Sequence, residues 1–584
     1  MAEKEEVVMT PSKKGKATHI KIERVKKLNL DKVAHVAGGQ HKGLVINKEA
    51  HEDDPTLEKP QLQLGFICFL VDQKTGGHAV ESRKLKFWYR DDTEYLDQVT
   101  TAYEFFKELV KPENFPRDYV GFIKKCMKQM QDEKYHHARK VDVELEQLSD
   151  EEAPLSPGGK IVIELGLEAD YYGFNKEDTR SQEEIVREKI LQVLESAYPN
   201  ILVVEDIIRI INAPEALVYQ LLRELQDAQL VQEMENGGFV RHVLDEQTEV
   251  QMVKQMPTIA ANQQPTVAII SAMYYEKLAV DAMMENKTSY MRFKMEGESN
   301  VYTIGYIGEH KVVSTKLPAV GFHRAAQIAT GNTTTRLLGT FQNVEHVFLV
   351  GVAGGVPHYT DYYKHVRLGD VVLSKVDPDN KLYYFCNKVT QDKAGNPHFI
   401  NKSWSPRDPI LQQVASRLQE MNYHNPDFAP WERYMAEGEQ LLAGQQVSFS
   451  RPEPNTDRLY MDIGDQNIIE VQHPMPPDGV MPNKPGVPAF HFGTIGSGRP
   501  VVKSHSLRLD FAARYDVRAF DTAFDQVLDS IEGNRKDSYM IVRGIADYVD
   551  GDKHKEWQPY AALAAAAYTK TMIKALSNPQ MDDY

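Results

Sequence analysis

The amino-acid sequence predicts an α/β protein whose second half is built around a parallel sheet. From Thr266 onward strand-like and helix-like segments alternate, which is the pattern of a sheet with helices packed on its faces. The predicted strands are TVAIISAM, HKVVSTKL, HVFLVGVAGG and LGDVVLSK, and the predicted helices are YEKLAVDAMM and residues 321–338. Two other units precede this half: an α+β region, and three amphipathic helices followed by a hairpin. A chain of 584 residues is long enough to form several hydrophobic cores.

The composition excludes several classes of function. A formal net charge of −16 argues against non-specific binding to nucleic acid or to an anionic membrane, both of which need a basic surface. Cys68, Cys126 and Cys386 lie far apart, without the paired spacing of a zinc site or a disulfide framework. We therefore expect a reducing compartment, no metal and no cofactor.

The sequence also bears on localisation. The N-terminus has no apolar h-region, and no uninterrupted apolar span is long enough to cross a bilayer, which predicts a cytoplasmic protein that does not associate with membranes. A basic run from Lys13 to Lys27 is either a nuclear signal or a solvated tail.

The first part of the chain contains no group of residues that suggests a catalytic site. Residues 1–30 are charged and poor in aromatic residues, which predicts a mobile basic arm. Residues 31–178 are predicted to form an α+β domain with strands LQLGFICFLVD and KLKFWYRD, helix YLDQVTTAYEFFKELV, and a further strand at 160–174. Residues 146–160 are acidic and rich in Pro and Gly, so they form either a loop of this domain or a linker after it. We predict a structural or partner-binding module.

Residues 179–244 have the plan of a winged helix. A first amphipathic helix opens at Ser181, a second follows, and a third starts at Pro214. Two short β-like runs then flank a turn that contains Gly237. Three helices and a hairpin in this order resemble a winged-helix domain.

The charges of the third helix argue against a DNA-binding function. A DNA-binding member places basic or amide side chains of this helix in the major groove. Here the helix carries three acidic residues and a single basic residue, Arg223, so it would repel phosphates. The acidic residues are Glu215, Glu224 and Asp227. We predict contact with a protein partner or with another domain of the chain. Residues 245–265 read as a polar linker.

Asp547 ends the most apolar strand of the chain, within the segment SYMIVRGIADYVDGDKHKEWQPYAALAAAAY. A polar loop and an Ala-rich helix follow, with Pro559 predicted at the first helical position. Since ligands of open α/β sheets bind beyond the carboxyl ends of the strands, Asp547 is either an acid or base there, or a cap of the next element. Glu276, Gly354 and Asp547 all follow predicted strands, so one crevice can gather them.

Seven ordered blocks of the second half resemble a known superfamily. The blocks are TVAIISAMYYEKLAVDAMM, YTIGYIGEHKVVSTKLPAVGFHRAA, FLVGVAGGVP, VRLGDVVLSK, RPEPNTDRLY, HFGTIGSGRPVV and VRGIADYVDGDKHKEWQPYAALAAAAY. They resemble the nucleoside phosphorylase and nucleosidase superfamily, above all the 5'-methylthioadenosine/S-adenosylhomocysteine nucleosidase branch and its versions at the end of multidomain proteins. The resemblance implies a three-layer α/β/α fold for residues 266–578, which usually assembles as dimers or higher oligomers.

The resemblance also implies roles for two carboxylates. Glu276 falls where nucleosidases place the residue that activates the attacking water, and Asp547 falls where they place the acid that protonates the purine at N7. This chemistry cleaves the N-glycosidic bond of a purine nucleoside or nucleotide, with hydrolysis preferred over phosphorolysis. Without the resemblance, Glu276 reads as a surface residue of the helix in YYEKLAV.

The predicted sugar site departs from the family pattern. The helix after GTIGSG usually begins with a Met-Glu pair whose glutamate binds the ribose hydroxyls, but Thr522 and Ala523 stand there. Losing such a charge-assisted contact costs about 1.5–3 kcal/mol. Asp521 or Asp525 is a potential substitute. Arg499 either recognises a phosphate or pairs with Asp521 and fills the pocket.

The predicted substrate-binding residues are Gly354, Gly355, Ser497, Arg499 and Asp521. Two interpretations follow. The first is an active purine nucleosidase or phosphorylase with altered sugar recognition. The second is a catalytically degenerate nucleoside- or nucleotide-binding scaffold that acts through protein interactions. The Pro- and Gly-rich segment 474–488 is either a flap over the crevice or an inert insertion.

Overall fold

The structure of the chain is a computed structural model that describes part of its residues, and elements, contacts and counts are those of the described residues. These are residues 5–14, 16–26, 29–37, 44–48, 58–71, 78–148, 181–198, 201–234, 237–242, 249–253, 256, 259–260, 263–292, 301–318, 324–393, 395–425, 427–463, 468–480, 484, 486–521, 524–548 and 555–577. The strand predicted at 160–174 lies outside the described residues, as does most of the segment 146–160.

The described residues form 23 strands and 13 α-helices. The strands are β1 Glu6–Lys14, β2 Ala17–Val25, β3 Val33–Val36, β4 Leu44–Asn47, β5 Leu62–Val71, β6 His78–Tyr89, β7 Ala138–Gln147, β8 Val231–Glu233, β9 Phe239–Arg241, β10 Glu249–Val253, β11 Val267–Ser271, β12 Glu285–Arg292, β13 Val301–Ile307, β14 His310–Lys316, β15 His346–Gly355, β16 Val371–Ser374, β17 Tyr383–Gln391, β18 Pro397–Trp404, β19 Leu459–Asp462, β20 Ile468–Val471, β21 Phe490–Ser497, β22 Val517–Phe520 and β23 Ser538–Tyr548. The helices are α1 Tyr95–Leu109, α2 Tyr119–Gln131, α3 Gln182–Ala197, α4 Val204–Ile211, α5 Glu215–Asp227, α6 Tyr274–Ala282, α7 Arg324–Thr340, α8 Ile410–His424, α9 Pro430–Leu441, α10 Arg499–Lys503, α11 His505–Tyr515, α12 Asp525–Gly533 and α13 Trp557–Ser577.

The N-terminal sheet has nine described strands in the order β19-β20-β5-β6-β7-β2-β1-β4-β3. The prediction of a mobile arm over residues 1–30 is therefore wrong for the described part, because β1 and β2 pair with each other and β2 pairs with β7. The physical reason is alternation. Ile20 and Ile22 are buried between polar neighbours, so a strand hidden on one face carries many charges on the other.

A hairpin from the second half of the chain completes this N-terminal sheet. Strands β19 and β20 pair with each other, and β20 pairs antiparallel with β5. The boundary predicted before residue 266 therefore does not separate the two sheets completely. One continuous cluster of buried apolar residues runs from the N-terminal sheet into the second half.

Residues 181–242, which we call the winged-helix unit, contain helices α3, α4 and α5 and the two-stranded sheet β8–β9. The helix predicted from Ser181 is capped as the sequence suggested, since its hydroxyl accepts from Glu184 N–H and the Glu184 carboxylate accepts from Ser181 N–H. Gly237 has a φ of 72°, which a tight turn between two short strands requires. The unit has a hydrophobic core of its own.

The second half contains a mixed sheet of twelve described strands, with the order β10-β12-β13-β14-β11-β15-β23-β16-β21-β17-β18 and with β22 paired to β15 and β21. Helices α6, α8 and α9 pack with α13, which lies against β15 and β23, whereas α7 packs with α12. These two helix groups and the sheet give the layers of the predicted α/β/α fold. In the described residues, no helix is both long and apolar enough to cross a membrane.

Two smaller expectations differ from the structure. Residues 249–253, predicted as linker, form β10, which pairs parallel with β12 at the edge of the large sheet. The last helix begins at Trp557, so Pro559 lies in its first turn rather than at its first position. Proline is tolerated there because the first N–H groups of a helix have no partner within it.

The arrangement of the central strands positions the site. β14, β11, β15 and β23 are neighbours and run parallel, so their carboxyl ends meet at one edge of the sheet. β22 joins this edge antiparallel, with Gly354 opposite Phe520. The loops and helices that follow these strands therefore meet at one crevice.

Two histidines join the β19–β20 hairpin to the loop after β15. The ring atoms His365 Nε2 and His473 Nδ1 lie 2.9 Å apart, and His473 Nε2 lies 3.0 Å from the carbonyl oxygen of Asp457. The N–H of His358 donates to His365 Nδ1. With both rings neutral, each ring has one nitrogen that donates a hydrogen bond and one that accepts one. Protonation of either ring turns its acceptor nitrogen into a donor and breaks a hydrogen bond.

We predict that Gly544→Ala destabilises the protein. An added Cβ at Gly544 would lie 1.9 Å from the carbonyl oxygen of Ala561, which belongs to the backbone of α13 and has no room to move. Such overpacking costs about 1–3 kcal/mol, and thermal unfolding followed by circular dichroism should show a clearly lower Tm. The matched control is Gly339→Ala in α7, where nothing lies within 4 Å of the added Cβ and the helix gains about 0.5–1 kcal/mol. Equal Tm values for both variants would contradict the packing of β23 on α13.

We also predict that stability falls as the pH falls below about 6.5, the ordinary histidine value. Burial, and then the neighbouring His473, His358, Arg367 and His491, lower the pKa of His365, so the unfolded chain binds protons that the folded chain rejects. Stability is therefore complete above the unfolded pKa and is lost on acidification. The measurement is Tm against pH for the wild type and for His365→Gln, which keeps a donor towards His473 but does not titrate. A pH slope that is the same in both proteins would contradict the prediction.

Candidate active site

Glu276 is held in the crevice by backbone amides from two elements. It lies in the first turn of α6, directly after β11, and is 3% exposed. Its Oε2 accepts from the N–H groups of Ala272 and Met273, both at 2.8 Å, and its Oε1 accepts from Val352 N–H on β15, also at 2.8 Å. Glu276 is thus a buried carboxylate in a fixed orientation rather than a surface residue of its helix.

Gly351 explains how the carboxylate approaches β15 so closely. A Cβ added at Gly351 would lie 2.4 Å from Glu276 Oε1 and 2.8 Å from Oε2. Any other residue would push the side chain away from the strand. Gly351, the first glycine of GVAGG, is therefore required because the Glu276 carboxylate packs against it. Glu276 lies 75 positions earlier in the chain, on a different element.

The surroundings of Glu276 have opposing effects on the pKa of its carboxyl group. Burial raises the pKa of its carboxyl above the usual range, against the opposing effects of the Arg543 guanidinium and the three amides. Lys316, at the end of β14, is a nearby cation, and its ammonium is also buried. Burial lowers the pKa of Lys316 to about 8, while the charge of Glu276 opposes that change.

Asp547 lies where the sequence predicts it, at the carboxyl end of β23. In the strand pairing it stands opposite Gly354, two residues beyond Val352, which donates to Glu276. Two residues correspond to about 7 Å along a strand. A register shift in β23 just before Asp547 changes the direction of the strand at this point. Glu276 and Asp547 therefore lie at the same end of the sheet.

Tyr275 lies within the electrostatic reach of both carboxylates. Burial raises the pKa of its hydroxyl, and the charges of Glu276, Asp547 and Glu195 raise it further. Glu195 belongs to α3 of the winged-helix unit, which places the end of that helix near the same crevice. Three carboxylates from three parts of the chain thus surround one tyrosine.

Arg543 is a residue of the site that the sequence analysis did not identify. It is 1% exposed and forms a buried ion pair, in which its Nε donates to Asp521 Oδ2. Its Nη1 donates to the carbonyl of Leu349 at 3.2 Å, and its Nη2 is buried without a hydrogen-bond partner among the described residues. The available signal was an arginine inside an otherwise apolar core strand, because a buried charge needs a partner.

Four of the five predicted substrate-binding residues are buried, and Arg499 is exposed. Gly354 and Gly355 lie at the crevice edge of β15, although a Cβ at Gly355 would meet Val366 at 2.6 Å, so packing alone requires that glycine. Ser497 is fully buried and donates to the carbonyl oxygen of Asp521 at 3.0 Å.

Arg499 differs from the four buried residues. It is exposed and begins the short helix α10, while Asp521 pairs with Arg543. The ion pair between Arg499 and Asp521 that the sequence suggested is therefore absent. Thr522 and Ala523, at the usual ribose-binding position, lie outside the described residues, and Asp525 begins α12 as a buried carboxylate.

The structure holds no grouping of metal-binding side chains in the described residues, where no three of His, Cys, Asp or Glu come close enough to bind an ion. Cys68, Cys126 and Cys386 are buried free thiols. Burial raises the pKa of Cys68 and Cys126 to about 12, so neither is a reactive thiolate near neutral pH.

Comparison with known proteins identified similarities in two parts of the chain. Residues 176–243 match the winged helix-turn-helix domain family. A nucleotide-binding leucine-rich repeat (NLR)-like protein of the fungus Hyaloscypha variabilis is 28% identical over 321 residues, which cover 54% of this chain and 30% of that protein. The chain thus spans less than a third of the length of this curated relative.

Solved structures with a similar fold cover about half of the chain. A 5'-methylthioadenosine/S-adenosylhomocysteine nucleosidase of Neisseria meningitidis, in complex with methylthio-immucillin-A, is 16% identical, with 53% of this chain and 99% of that chain covered and a TM-score of 0.32. The S-adenosylhomocysteine nucleosidase of Streptococcus pyogenes is 14% identical, with 54% and 98% covered and a TM-score of 0.33. The futalosine hydrolase of Helicobacter pylori is 13% identical, with 53% and 98% covered and a TM-score of 0.31.

At these identities and TM-scores, the likeness carries no information about which residues act or on what substrate. The match at residues 176–243, together with helices α3 to α5 and the β8–β9 hairpin, confirms that this chain contains a winged helix-turn-helix domain.

Proposed function

We propose that the second half of the chain hydrolyses the N-glycosidic bond of a purine nucleoside or nucleotide. The observation that carries this proposal is the pair of Glu276 and Asp547 at one crevice, where Val352 and Gly354 of β15 connect them. A carboxylate held by three backbone amides keeps one orientation before a substrate arrives, which is what positioned acid–base chemistry needs.

At the base, Asp547 acts as the general acid. Its carboxyl group donates a proton to N7 of the purine while the bond between C1' and N9 breaks. The bonding electron pair moves to the base, which leaves as a neutral molecule, and positive charge develops on the ribose. A base that leaves without negative charge is a better leaving group, which lowers the barrier.

At the sugar, Glu276 acts as the general base. A water molecule attacks C1' and gives one proton to the Glu276 carboxylate, so a ribose and a free base are the products. The unpartnered Nη2 of Arg543 is a donor that can hold this water, because Arg543 lies close enough to Glu276 to affect its pKa. Proton exchange with solvent then restores Glu276 as the carboxylate and Asp547 as the acid.

Charge favours hydrolysis over phosphorolysis in this arrangement. A phosphate nucleophile needs an excess of positive charge, whereas the Arg543 guanidinium is already paired with Asp521 and the attacking group would lie beside the Glu276 carboxylate. The ammonium of Lys316 already donates to two backbone carbonyls, those of Ser196 and Leu317. Water is therefore the better nucleophile beside Glu276.

A second candidate function is binding without catalysis. The observation that favours it is the ion pair between Arg543 and Asp521, which occupies one of the acidic residues available to replace the missing ribose-binding glutamate. Ala523 has no group to bind a hydroxyl. A pocket with weakened sugar binding would retain a nucleoside or nucleotide and act as a scaffold.

The proposed reaction predicts release of free base from at least one purine compound. The full chain is incubated with adenosine, inosine, methylthioadenosine, S-adenosylhomocysteine and ATP, with and without phosphate, and free base is measured by chromatography. Asp547→Asn and Glu276→Gln should each lower the rate by about 100-fold or more, because each removes a positioned proton-transfer group. Release that requires phosphate would replace hydrolysis with phosphorolysis.

Matched controls are Asp379→Asn and Glu420→Gln, which make the same chemical changes at exposed positions. Both should retain wild-type rates. Undiminished release in Asp547→Asn would contradict the role of Asp547. No release from any compound by a folded protein, with binding detected by calorimetry, would support the scaffold function instead.

The pH dependence of the reaction should report Glu276. Because burial raises its pKa above the usual glutamate value, the catalytic carboxylate is lost on acidification at a higher pH than an exposed glutamate would be. We expect kcat/KM to fall towards acid pH with a midpoint above 4.5, the ordinary glutamate value that the shift departs from. Activity restored after return to neutral pH separates this titration from acid unfolding. A rate that is independent of pH down to the ordinary value would contradict the role of Glu276.

A further inference from the structure

The winged-helix unit is a separately packed body. Its core, formed mainly by residues of α3, α4 and α5, is distinct from the main core of the protein. Tyr198, just after α3, is the residue of the unit that packs against the main core. Units with separate cores and small contact areas move relative to one another unless the interface between them is large.

The unit docks on the turn of α6 that carries Glu276. The rings of Tyr198 and Tyr274 meet edge to face, with centroids 4.9 Å apart. The guanidinium of Arg241, from β9, lies over the same Tyr274 ring at 5.6 Å and donates to the side-chain oxygen of Gln446. Tyr274 is two residues before Glu276, so both contacts fall on the helical turn that positions the carboxylate.

Lys316 provides a second connection between the unit and the crevice. Its ammonium donates to the carbonyl of Ser196, the next-to-last residue of α3, at 2.6 Å. Lys316 is only 7% exposed, although its charge lies near Glu276 at the crevice. A carbonyl at the end of a helix is a favourable acceptor for a cation, because the helix dipole is negative there.

Glu195, near the end of α3, adds a negative charge close to Tyr275. It accepts from Arg241 Nε at 3.2 Å, and its charge raises the pKa of Tyr275, which also lies near Glu276 and Asp547. The end of α3 thus brings a carboxylate, a carbonyl and an aromatic ring to the turn of α6 that carries Glu276 and to the end of β14.

We propose that the winged-helix unit is an internal cap, whose docking at Tyr198, Ser196 and Arg241 closes the crevice and whose release opens it. This inference rests on the proposed function only for its effect on catalysis. In the docked state Lys316 binds the unit, and in the released state its ammonium faces the open crevice. The unit then regulates access to Glu276.

The test of docking follows the accessibility of Lys316 in the full chain. A short pulse of acetic anhydride acetylates accessible amines, and mass spectrometry quantifies each lysine. Wild-type Lys316 should react slowly relative to the exposed Lys388. Tyr198→Ala should raise the reactivity of Lys316 by about fivefold, the change in an opening equilibrium expected from the loss of one aromatic pair.

Two controls separate opening from unfolding. Lys277, on α6, is buried and donates to Asp281, Thr303 and Ser314, none of which belongs to the unit, so its acetylation reports loss of the fold and should stay at the wild-type level. Tyr219→Ala removes a partly exposed tyrosine from α5 of the same unit and should leave Lys316 protected. Gln446→Ala weakens the docking contact from the other side, without changing the unit itself, and should also increase labelling of Lys316.

The outcomes distinguish this inference from the proposed function. Increased labelling of Lys316 with faster base release in Tyr198→Ala and Gln446→Ala would support an inhibitory cap. Increased labelling with no base release from any protein would retain the cap and reject the enzyme. Unchanged labelling in both variants, or equal increases at Lys316 and Lys277, would overturn the cap. Increased labelling with slower base release would also overturn it, because the unit would then assist catalysis.

Discussion

The parallel pairing of β15 with β23 is the constraint on which the site depends. It places Val352, the amide donor to Glu276, two residues from the position aligned with Asp547. Glycines permit this geometry at both strands, because Gly351 leaves room for the Glu276 carboxylate and Gly544 leaves room for the backbone of α13. A shift of this pairing by one residue would reverse the faces of the side chains and separate the two carboxylates.

Around this pair the protein buries several charges in one region. Arg543 and Asp521 form an ion pair, Glu276 is held by amides, and Lys316 donates to carbonyls. Burying a charge costs several kcal/mol unless hydrogen bonds replace water, and here backbone groups supply most of those bonds. Such an arrangement is unusual for a core that serves only stability, and it is typical of a site with chemistry or ligand binding.

The N-terminal half is connected to this site in two different ways. The β19–β20 hairpin leaves the second half and pairs with β5, so the N-terminal sheet and the large sheet share a core. The winged-helix unit instead keeps its own core and meets the crevice at Tyr274 and Lys316. One attachment is part of the folded core, and the other is a surface contact. This difference is the reason why we assign the proposed regulatory movement to the winged-helix unit.

The local elements could be predicted from the sequence, and the family resemblance directed attention to Glu276 and Asp547. Periodicity located the strands of the large sheet and the three helices of the winged-helix unit, because each is amphipathic or apolar over its own length. The same local view misread residues 1–30 and 249–253, whose strands are stabilised by partners far away in the chain. Other features follow from the tertiary fold alone: Asp521 pairs with Arg543 rather than Arg499, three amides hold Glu276, and the end of α3 contacts Lys316. The physical reason is that these contacts join residues separated by tens to hundreds of positions, and sequence patterns report only the preferences of neighbours.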